Sequence, residues 1–353
     1  MNKKKISATF TKCPSCGDDM VFNPDGQCLS CPSCQNIEII HSKTQYAKHD
    51  FDLENPSMDA NEKWAQDEKI MKCKNCGASV VLQGYQVSAN CPYCDTSLVS
   101  AETGGEGVKP DAVVPFRIGK KLAEETFRAK IQKNWFVPKQ LKQNLKADAI
   151  RAYYFPAFVY DANCLTSYDG VLYETYTVRD KEGRYHTKYR YFNISGTKST
   201  QHANIEIEAS TKLEQRELSW VRPYDFTQAK CFTNEFISGY ALECYSSSIK
   251  DTFATAKTII ENDIKYKILS GYRYDGISKF NMDTTYLSKN YSYCVLPMYR
   301  VNFTYKGKQY SNVINGQSGA VGGKVPKSGG KIALVVILPI LFVLSIILLT
   351  LLI

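Results

Sequence analysis

Histidine is scarce in this chain, with four among 353 residues. His41 and His49 lie in a polar stretch, and His186 and His202 lie in segments that alternate as β-strands do, with no partner nucleophile. Histidines in such positions are far more often surface or core residues than catalysts. The Gly-x4-Gly-Lys-Ser/Thr phosphate loop is also missing, so an ATP-driven motor is not supported. We therefore predict no catalytic residues and no enzymatic activity.

An apolar leader is missing as well, because residues 1–12 are polar and contain no run that could act as a signal peptide. A chain in a reducing compartment is not expected to use its thirteen cysteines in disulfides. These cysteines are unevenly spread, with nine between Cys13 and Cys94. The isolated cysteines, to which the sequence assigns no role, are Cys164, Cys231, Cys244 and Cys294.

Eight of the N-terminal cysteines form an internal repeat, in which two CxxC pairs are separated by fourteen residues. A shift of 60 positions superposes the two blocks and aligns Gly17 with Gly77 and Val21 with Val81. The predicted metal ligands are Cys13, Cys16, Cys31 and Cys34 in the first block and Cys73, Cys76, Cys91 and Cys94 in the second.

Each block supplies four thiolates for one tetrahedral ion, since a tight CxxC turn aims both of its sulfurs at one point. Gly17 and Gly77 follow the second cysteine of each leading pair and suit a turn that needs a positive φ. We predict two structural zinc ions, with no open coordination position for catalysis. An iron–sulfur cluster and a redox-active CxxC are the alternatives.

Cys28 complicates the first block, because it forms a further CxxC with Cys31. The repeat aligns Cys28 with Ser88, whereas Cys31 aligns with Cys91. We therefore predict that Cys28 is not a ligand.

The distribution of charge argues against nucleic acid as the main partner, although the formal net charge is +9. One basic and three acidic residues lie between Lys12 and Ile37, and two basic and one acidic between Lys72 and Leu98. Phosphate contacts need a denser lysine and arginine surface. We expect an unidentified protein partner. Nucleic acid is the alternative, and an enzyme with a site assembled in the body is the second alternative.

The predicted organisation has seven parts. In chain order they are a zinc ribbon at 1–40, an acidic linker at 41–69, a second ribbon at 70–99, a glycine-rich linker at 100–110, a body at 111–323, a basic juxtamembrane segment at 324–331 and a transmembrane helix at 332–353. A short helix is expected near residues 61–69 of the acidic linker.

The body combines alternating aromatic and β-branched runs with two helical patterns. Strands are predicted at 112–116, 153–178, 185–207, 240–245, 293–305, 309–315 and 319–323, and helices at 122–134 and 251–269. Lys181 to Arg184 form the expected turn of the longest hairpin, and Asn315-Gly316 is a strong hairpin signal. The fold class is therefore α+β, with a largely antiparallel body.

The last 22 residues, Ile332 to Ile353, carry no charge. At about 1.5 Å per residue they extend roughly 33 Å, enough to cross a bilayer core of about 30 Å. Lys324, Lys327 and Lys331 precede this segment, and positive residues stay on the cytoplasmic side. We expect a tail-anchored protein of the cell membrane with its bulk in the cytoplasm and the lipid bilayer as one partner.

Three stretches resemble a family of bacterial proteins called TFIIB-type zinc ribbon-containing. They are the paired CxxC ribbons, residues 152–161, and a C-terminal pattern over 296–299, 305–310 and 315–319. The chain departs from the family pattern in having Ala157 and Phe158, where an aromatic such as tryptophan is usual, and in having two complete ribbons. Some members carry primosomal-helicase names, but motor motifs are missing here. The resemblance implies a membrane protein with zinc and no known catalytic residues.

Overall fold

The structure is a computed structural model. It describes residues 12–52, 69–82, 88–94, 96–99, 108–145, 150–213 and 215–352. Except for Lys69, which begins a strand, the expected helix near residues 61–69 lies outside the described residues, as does most of the glycine-rich linker.

The first cysteine block folds into short strands. They are β1 (Val21–Asn23), β2 (Cys28–Ser30) and β3 (Ile37–Ile39), followed by β4 (His49–Asp50). Strands β1, β2 and β3 form a three-stranded antiparallel sheet with β2 in the centre. Strand β3 is an edge strand, and its three residues are exposed.

The second block has the same kind of elements. They are β5 (Lys69–Lys72), β6 (Ser79–Leu82), β7 (Ser88–Asn90) and β8 (Ser97–Val99). Strand β5 pairs with β6, and β7 pairs with β8, both antiparallel.

The body alternates long strands with short helices. In chain order it contains β9 (Ala112–Val113), α1 (Lys120–Lys133), α2 (Lys139–Asn144), β10 (Ile150–Arg179), β11 (Tyr185–Glu208), α3 (Gln215–Ser219), a 3-10 turn (Phe226–Gln228), β12 (Lys230–Cys231), α4 (Asn234–Ile237), β13 (Ala241–Glu243), α5 (Ile249–Leu269), β14 (Gly276–Tyr305), β15 (Lys308–Asn315) and β16 (Val321–Gly323). The C-terminal helix is α6 (Gly329–Leu352).

Strands of the body and of the second block share one sheet of eleven strands. Strand β10 lies at its centre and pairs antiparallel with β14 on one side and with β11 on the other. The β10–β13 and β9–β14 pairs are parallel. The prediction of a largely antiparallel α+β body is therefore confirmed.

Beyond the core, β10, β11 and β14 continue as a three-stranded arm that is covered on one face by α5. Alternate residues of β10 turn inward, and Ala162 and Cys164 pack against Ile260, Ile264 and Ile268 of the helix. The opposite face is exposed and mostly polar, with Leu165 and Leu287 as apolar exceptions, in agreement with the two-residue period of a half-buried strand. The predicted helix at 251–269 is confirmed, and its apolar side chains face the arm.

The tip of the arm is the predicted turn. Gly183 has φ +86°, and the Asp180 carboxylate accepts hydrogen bonds from the backbone amides of Glu182 and Arg184 at 2.9 and 2.8 Å. An aspartate that bonds the backbone two residues on and a glycine with positive φ are the usual components of such a turn. They fix the register of β10 against β11.

The main core lies where α1, β10, β14 and the first cysteine block meet. Phe116, Tyr154 and Tyr299 are fully buried there, with ring centroids 5.0 and 4.9 Å from Phe116 to the two tyrosines. Each phenol finds a carbonyl acceptor, Phe236 for Tyr154 and Ile118 for Tyr299, as buried tyrosine hydroxyls require. This core holds the cysteine block, the sheet and α1 together.

Helix α6 starts at Gly329, three residues before the predicted apolar segment. Residues 329–346 have a mean hydropathy of 2.4, and none of that stretch is buried within the protein. The helix is therefore long and apolar enough to cross a membrane, which is consistent with a single-pass membrane protein.

Candidate metal centres

Each cysteine pair sits on a turn that the local backbone closes. The Cys13 carbonyl accepts a hydrogen bond from the Gly17 amide at 2.9 Å, and the Cys73 carbonyl accepts one from Gly77 at 2.7 Å. Gly17 and Gly77 have φ values of +77° and +72°, so the predicted left-handed positions are confirmed. In the second pair of the first block, Cys31 and Cys34, Gln35 takes the same place with φ +61°. A side chain is tolerated there at some conformational cost.

The structure brings together all eight predicted cysteines in two groups of four. Within each group the Sγ atoms all lie within 4.8 Å of one another. In the first group the closest Sγ pairs, Cys13–Cys34 and Cys16–Cys31, are 3.4 Å apart. The second group repeats this arrangement, with 3.5 Å for both Cys73–Cys94 and Cys76–Cys91.

These distances fit one tetrahedral ion per group. Zinc–sulfur bonds of about 2.3 Å place neighbouring sulfurs about 3.8 Å apart around a shared centre. All thirteen cysteines are free thiols, so no disulfide competes for the ligands. Each group could therefore hold a metal ion with four soft ligands and no open position.

The two groups also share a pattern of burial. Cys13 and Cys31 are buried while Cys16 and Cys34 are exposed, and the same positions in the second group are buried and half-buried. Each centre therefore lies at the surface, with the first cysteine of each pair facing the protein interior and the second facing solvent.

The crowded thiols titrate unequally. A backbone hydrogen bond at Asp18 acts to lower the pKa of Cys16, but the neighbouring thiols of Cys31 and Cys34 raise that pKa to about 12. In the second group burial acts to raise the pKa of Cys94, yet hydrogen bonds from Thr96 bring that pKa down to about 6. Four sulfurs this close cannot all ionise without a cation between them. The donor set is therefore suited to a divalent ion.

Cys28 lies outside the first group. It belongs to β2, opposite Asn23 and Ile39, and its side chain is buried beside Gly26. This placement agrees with the prediction that Cys28 is not a ligand. Cys164 and Cys294 are fully buried in the body.

The first ribbon is fastened to the body through β1. The Phe22 amide donates to the Ser238 carbonyl at 3.0 Å, and the Ser238 hydroxyl donates to the Met20 carbonyl at 2.6 Å. The Phe22 ring packs edge-on against Phe236, with centroids 5.6 Å apart. Met20, Phe22 and Leu29 are each no more than 2% exposed and belong to the main core.

The second ribbon is fastened through β6, the counterpart of β1 in the repeat. Val81 pairs with Leu242 and Val80 with Glu243, so β6 extends the sheet of the body beyond β13. The Cys244 amide also donates to the Ser79 carbonyl at 3.1 Å. Both ribbons therefore dock on one short segment of the body, residues 236–244.

Tyr93, which lies between Cys91 and Cys94, adds a further contact between the second ribbon and the body. Its phenol donates to the buried carboxylate of Glu243, which also accepts from the Ser210 hydroxyl at 2.6 Å. The guanidinium of Arg300 lies 4.9 Å from the centre of the Tyr93 ring and pairs with Glu217 at 3.0 Å. Burial raises the pKa of Glu243 to about 7, although the hydrogen bonds and Arg300 oppose that shift.

The described part of the predicted acidic linker packs against the body. Residues 41–52 run along the body: the Ser42 hydroxyl donates to the Cys231 carbonyl at 2.8 Å, and β4 pairs with Asn290 and Tyr291 of β14. An acidic residue of the linker can lie against the body here, because Asp52 pairs with Lys289 at 2.6 Å. Residues 53–68 lie outside the described part of the chain.

Three of the histidines have carboxylate partners that the sequence did not reveal. His49 lies 2.9 Å from Asp111, His186 2.6 Å from Asp180, and His202 3.2 Å from Asp263. His202 also lies 3.0 Å from the Thr200 hydroxyl, which gives the outline of a hydroxyl–imidazole–carboxylate chain.

Thr200 and His202 of this side-chain series are buried between β11 and α5. Thr200 and His202 are 7% and 6% exposed, so a substrate has no access to the hydroxyl. Burial, helped by Lys267 and opposed by Asp263, lowers the pKa of His202. The contact therefore fastens the helix to the arm.

These observations define an α+β protein with two four-cysteine groups that could bind metal and one helix that could span a membrane. The chain is 28% identical over 327 residues to an uncharacterised protein named YdjG from Bacillus subtilis (strain 168), and the match covers 91% of each chain. No family model matches the chain, and no solved structure matches it.

Proposed function

We propose that this protein is a membrane-anchored zinc protein whose two ribbons form a rigid head that recruits a protein partner at the cytoplasmic face. The head would contain one structural zinc ion in each four-cysteine group. Helix α6 would supply the anchor, and the lysines before it would keep the body in the cytoplasm. We also propose that the protein belongs to the TFIIB-type zinc ribbon-containing family that its sequence resembles.

The observation that carries the recruiting role is the exposed edge of the first ribbon. Ile37 and Ile39 of β3 are 64% and 70% exposed, although isoleucine is among the residues most often buried. Strand β3 pairs with β2 on one side, and within the described residues no strand pairs with its outer edge. An extended peptide with apolar side chains could add to such an edge.

Charge supports a protein partner over nucleic acid. From Lys12 to Glu38 the first ribbon has more acidic than basic residues. Lys12 is itself paired with Asp19 at 2.6 Å. Anionic thiolate–zinc centres would add further negative charge. Within residues 12–38 the phosphate backbone would therefore meet no basic surface.

Closed metal sites support the absence of catalysis. Catalytic zinc keeps a position for water or substrate, whereas four cysteines at tetrahedral distances fill every position. The docking of both ribbons on residues 236–244 gives the head a fixed geometry. A partner would therefore bind two surfaces whose relative position is fixed, and not two modules that move independently.

Proximity labelling from the N-terminus in living cells tests the recruiting role. Wild type is compared with an Ile37→Asp, Ile39→Asp double variant and with Leu287→Asp as a matched control. Leu287 is 63% exposed on the arm, far along the chain from the ribbons. Loss of a reproducible protein set in the double variant alone supports the proposal. Unchanged neighbours in the double variant contradict it.

A further inference from the structure

A lysine-lined cleft lies where the body meets the start of helix α6. It has a volume of about 700 Å³ and is bounded by the β14–β15 turn, the start of α2 and residues 326–331. Its lysines are Lys139, Lys306, Lys308, Lys327 and Lys331, and no acidic residue lines it.

A second cleft of about 780 Å³ adjoins the first and shares Lys308, Tyr310, Pro326 and Lys327 with it. It adds Lys130 and Lys324 and again has no acidic residue in its lining. Within the described residues, no carboxylate forms an ion pair with Lys306, Lys308 or Lys327. Within the described part of the chain, the pair of clefts therefore concentrates positive charge with no carboxylate in its lining.

The walls of the first cleft are held in place by contacts to the start of α6. The Ser328 amide donates to the Phe136 carbonyl at 2.8 Å. The Lys331 ammonium donates to the carbonyls of Trp135 and Val137 at 2.5 and 3.1 Å and lies 5.3 Å from the centre of the Trp135 ring. The position of the cleft relative to the helix is therefore fixed.

The position of the cleft at the start of α6 indicates where it would lie relative to a lipid bilayer. Gly329, Gly330 and Lys331 line it, and the uncharged segment begins at the next residue. If α6 spans a bilayer, the cleft opens at the level of the lipid headgroups. Trp135, which is 49% exposed beside it, is the residue type found at that level.

We propose that this cleft binds the phosphate headgroup of an anionic phospholipid in the leaflet that the body faces, and this rests on the membrane anchorage proposed above. The lysines supply the charge complement, and basic pockets at membrane helices are suited to phosphate headgroups. Lys331 is already engaged with Trp135 and Val137, so Lys139, Lys306, Lys308 and Lys327 carry the binding. Lipid binding would orient the body on the membrane surface.

The test uses the full chain, loaded with metal, in neutral detergent micelles, and measures the affinity for phosphatidylglycerol and for phosphatidylcholine. One variant combines Lys139→Gln, Lys306→Gln, Lys308→Gln and Lys327→Gln. Its control removes the same charge from the arm by Lys181→Gln, Lys188→Gln, Lys198→Gln and Lys279→Gln, all at exposed positions. A third variant places arginine at the four cleft positions and keeps their charge.

Wild type, the arm control and the arginine variant should prefer phosphatidylglycerol. The glutamine variant should bind it about a hundredfold more weakly, because each lysine near an anionic headgroup contributes to binding. Equal affinity for both lipids in wild type, or equal loss in both glutamine variants, would overturn the proposal. So would inorganic phosphate or glycerol 3-phosphate binding as tightly as the lipid, which would make the cleft a site for a soluble anion.

Carbonate extraction of cell membranes distinguishes this inference from the anchor. Wild type and the glutamine variant should both resist extraction, because α6 sets the anchorage. Extraction of wild type would contradict the anchor. A chain that resists extraction yet shows no preference for the anionic lipid would overturn the headgroup site alone.

Discussion

Tyr93, inside the last CxxC turn, donates a hydrogen bond to Glu243, which is buried in the body sheet. The contact joins residues that are 150 positions apart, and it links the second cysteine group to β13, which lies within the segment 236–244 on which both cysteine blocks dock. Folding of the ribbon and folding of the body are therefore expected to be coupled.

Tyr93→Phe tests that coupling. The substitution removes one donor to Glu243, and at pH 8, where this buried carboxyl is ionised, a hydrogen bond to a charged group contributes about 1.5–3 kcal/mol. We expect the free energy of unfolding of the full chain to fall by about that amount, measured by denaturant titration. Tyr185→Phe, at a tyrosine that is 73% exposed, is the matched control and should change little. A loss no larger than that of the control would show that the contact is not structural.

Glu243 also predicts a dependence of stability on pH. Its pKa rises from 4.5 in isolation to about 7 in the fold, chiefly through burial. The folded chain therefore holds this proton more tightly than the unfolded chain does. The stability that the neutral carboxyl contributes is complete below pH 4.5, declines as the pH rises, and is lost above about pH 7.

Glu243→Gln isolates this contribution, because glutamine stays neutral. The difference in unfolding free energy between wild type and this variant should change by about 3 kcal/mol in favour of the variant as the pH rises from 4.5 to 8. Metal binding affects both chains alike and cancels in the comparison. A difference that does not vary with pH would contradict the raised pKa.

Metal content tests the two centres. The purified full chain should contain two zinc ions per molecule by elemental analysis, Cys31→Ser should contain one, and Cys28→Ser should retain two. The last two variants form a matched pair, since Cys28 and Cys31 are both buried and only three residues apart. One ion or none in wild type would exclude the two-centre account, and iron in place of zinc would correct the metal.

The orientation of the chain can be read from a single exposed cysteine. Ser199→Cys adds an exposed thiol on the arm, whereas the native body cysteines are buried (Cys164 and Cys294) or half-buried (Cys231 and Cys244). A membrane-impermeant maleimide should label this variant more than wild type only after the cells are permeabilised. Extra labelling in intact cells would place the body outside.

Local patterns in the sequence were sufficient for much of the fold. The CxxC spacing identified all eight grouped cysteines, and the apolar spacing from Ala256 to Ile268 identified α5. The hairpin of β10 and β11 followed from alternation and from Gly183. Each of these signals lies within about twenty residues, where geometry restricts the possible structures.

The features of the fold that the sequence did not predict depend on contacts between residues far apart in the chain. The first half of β14, residues 276–292, is mostly polar on its exposed face, and its pairing with β10 supplies the order that its composition does not indicate. The docking of Phe22 and Val81 on residues 236–244 joins segments far apart in the chain. The lysine cleft likewise combines α2, the β14–β15 turn and the start of α6. No periodicity within one segment reveals such contacts.

A photo-crosslinking amino acid at Ile39 tests whether the exposed edge of the first ribbon holds a protein partner. Irradiation of living cells should produce a discrete protein adduct that disappears when Cys13, Cys16, Cys31 and Cys34 are replaced by serine. The same probe at Leu287 should not produce that adduct. Adducts only to nucleic acid, or the same adduct from Leu287, would contradict the account.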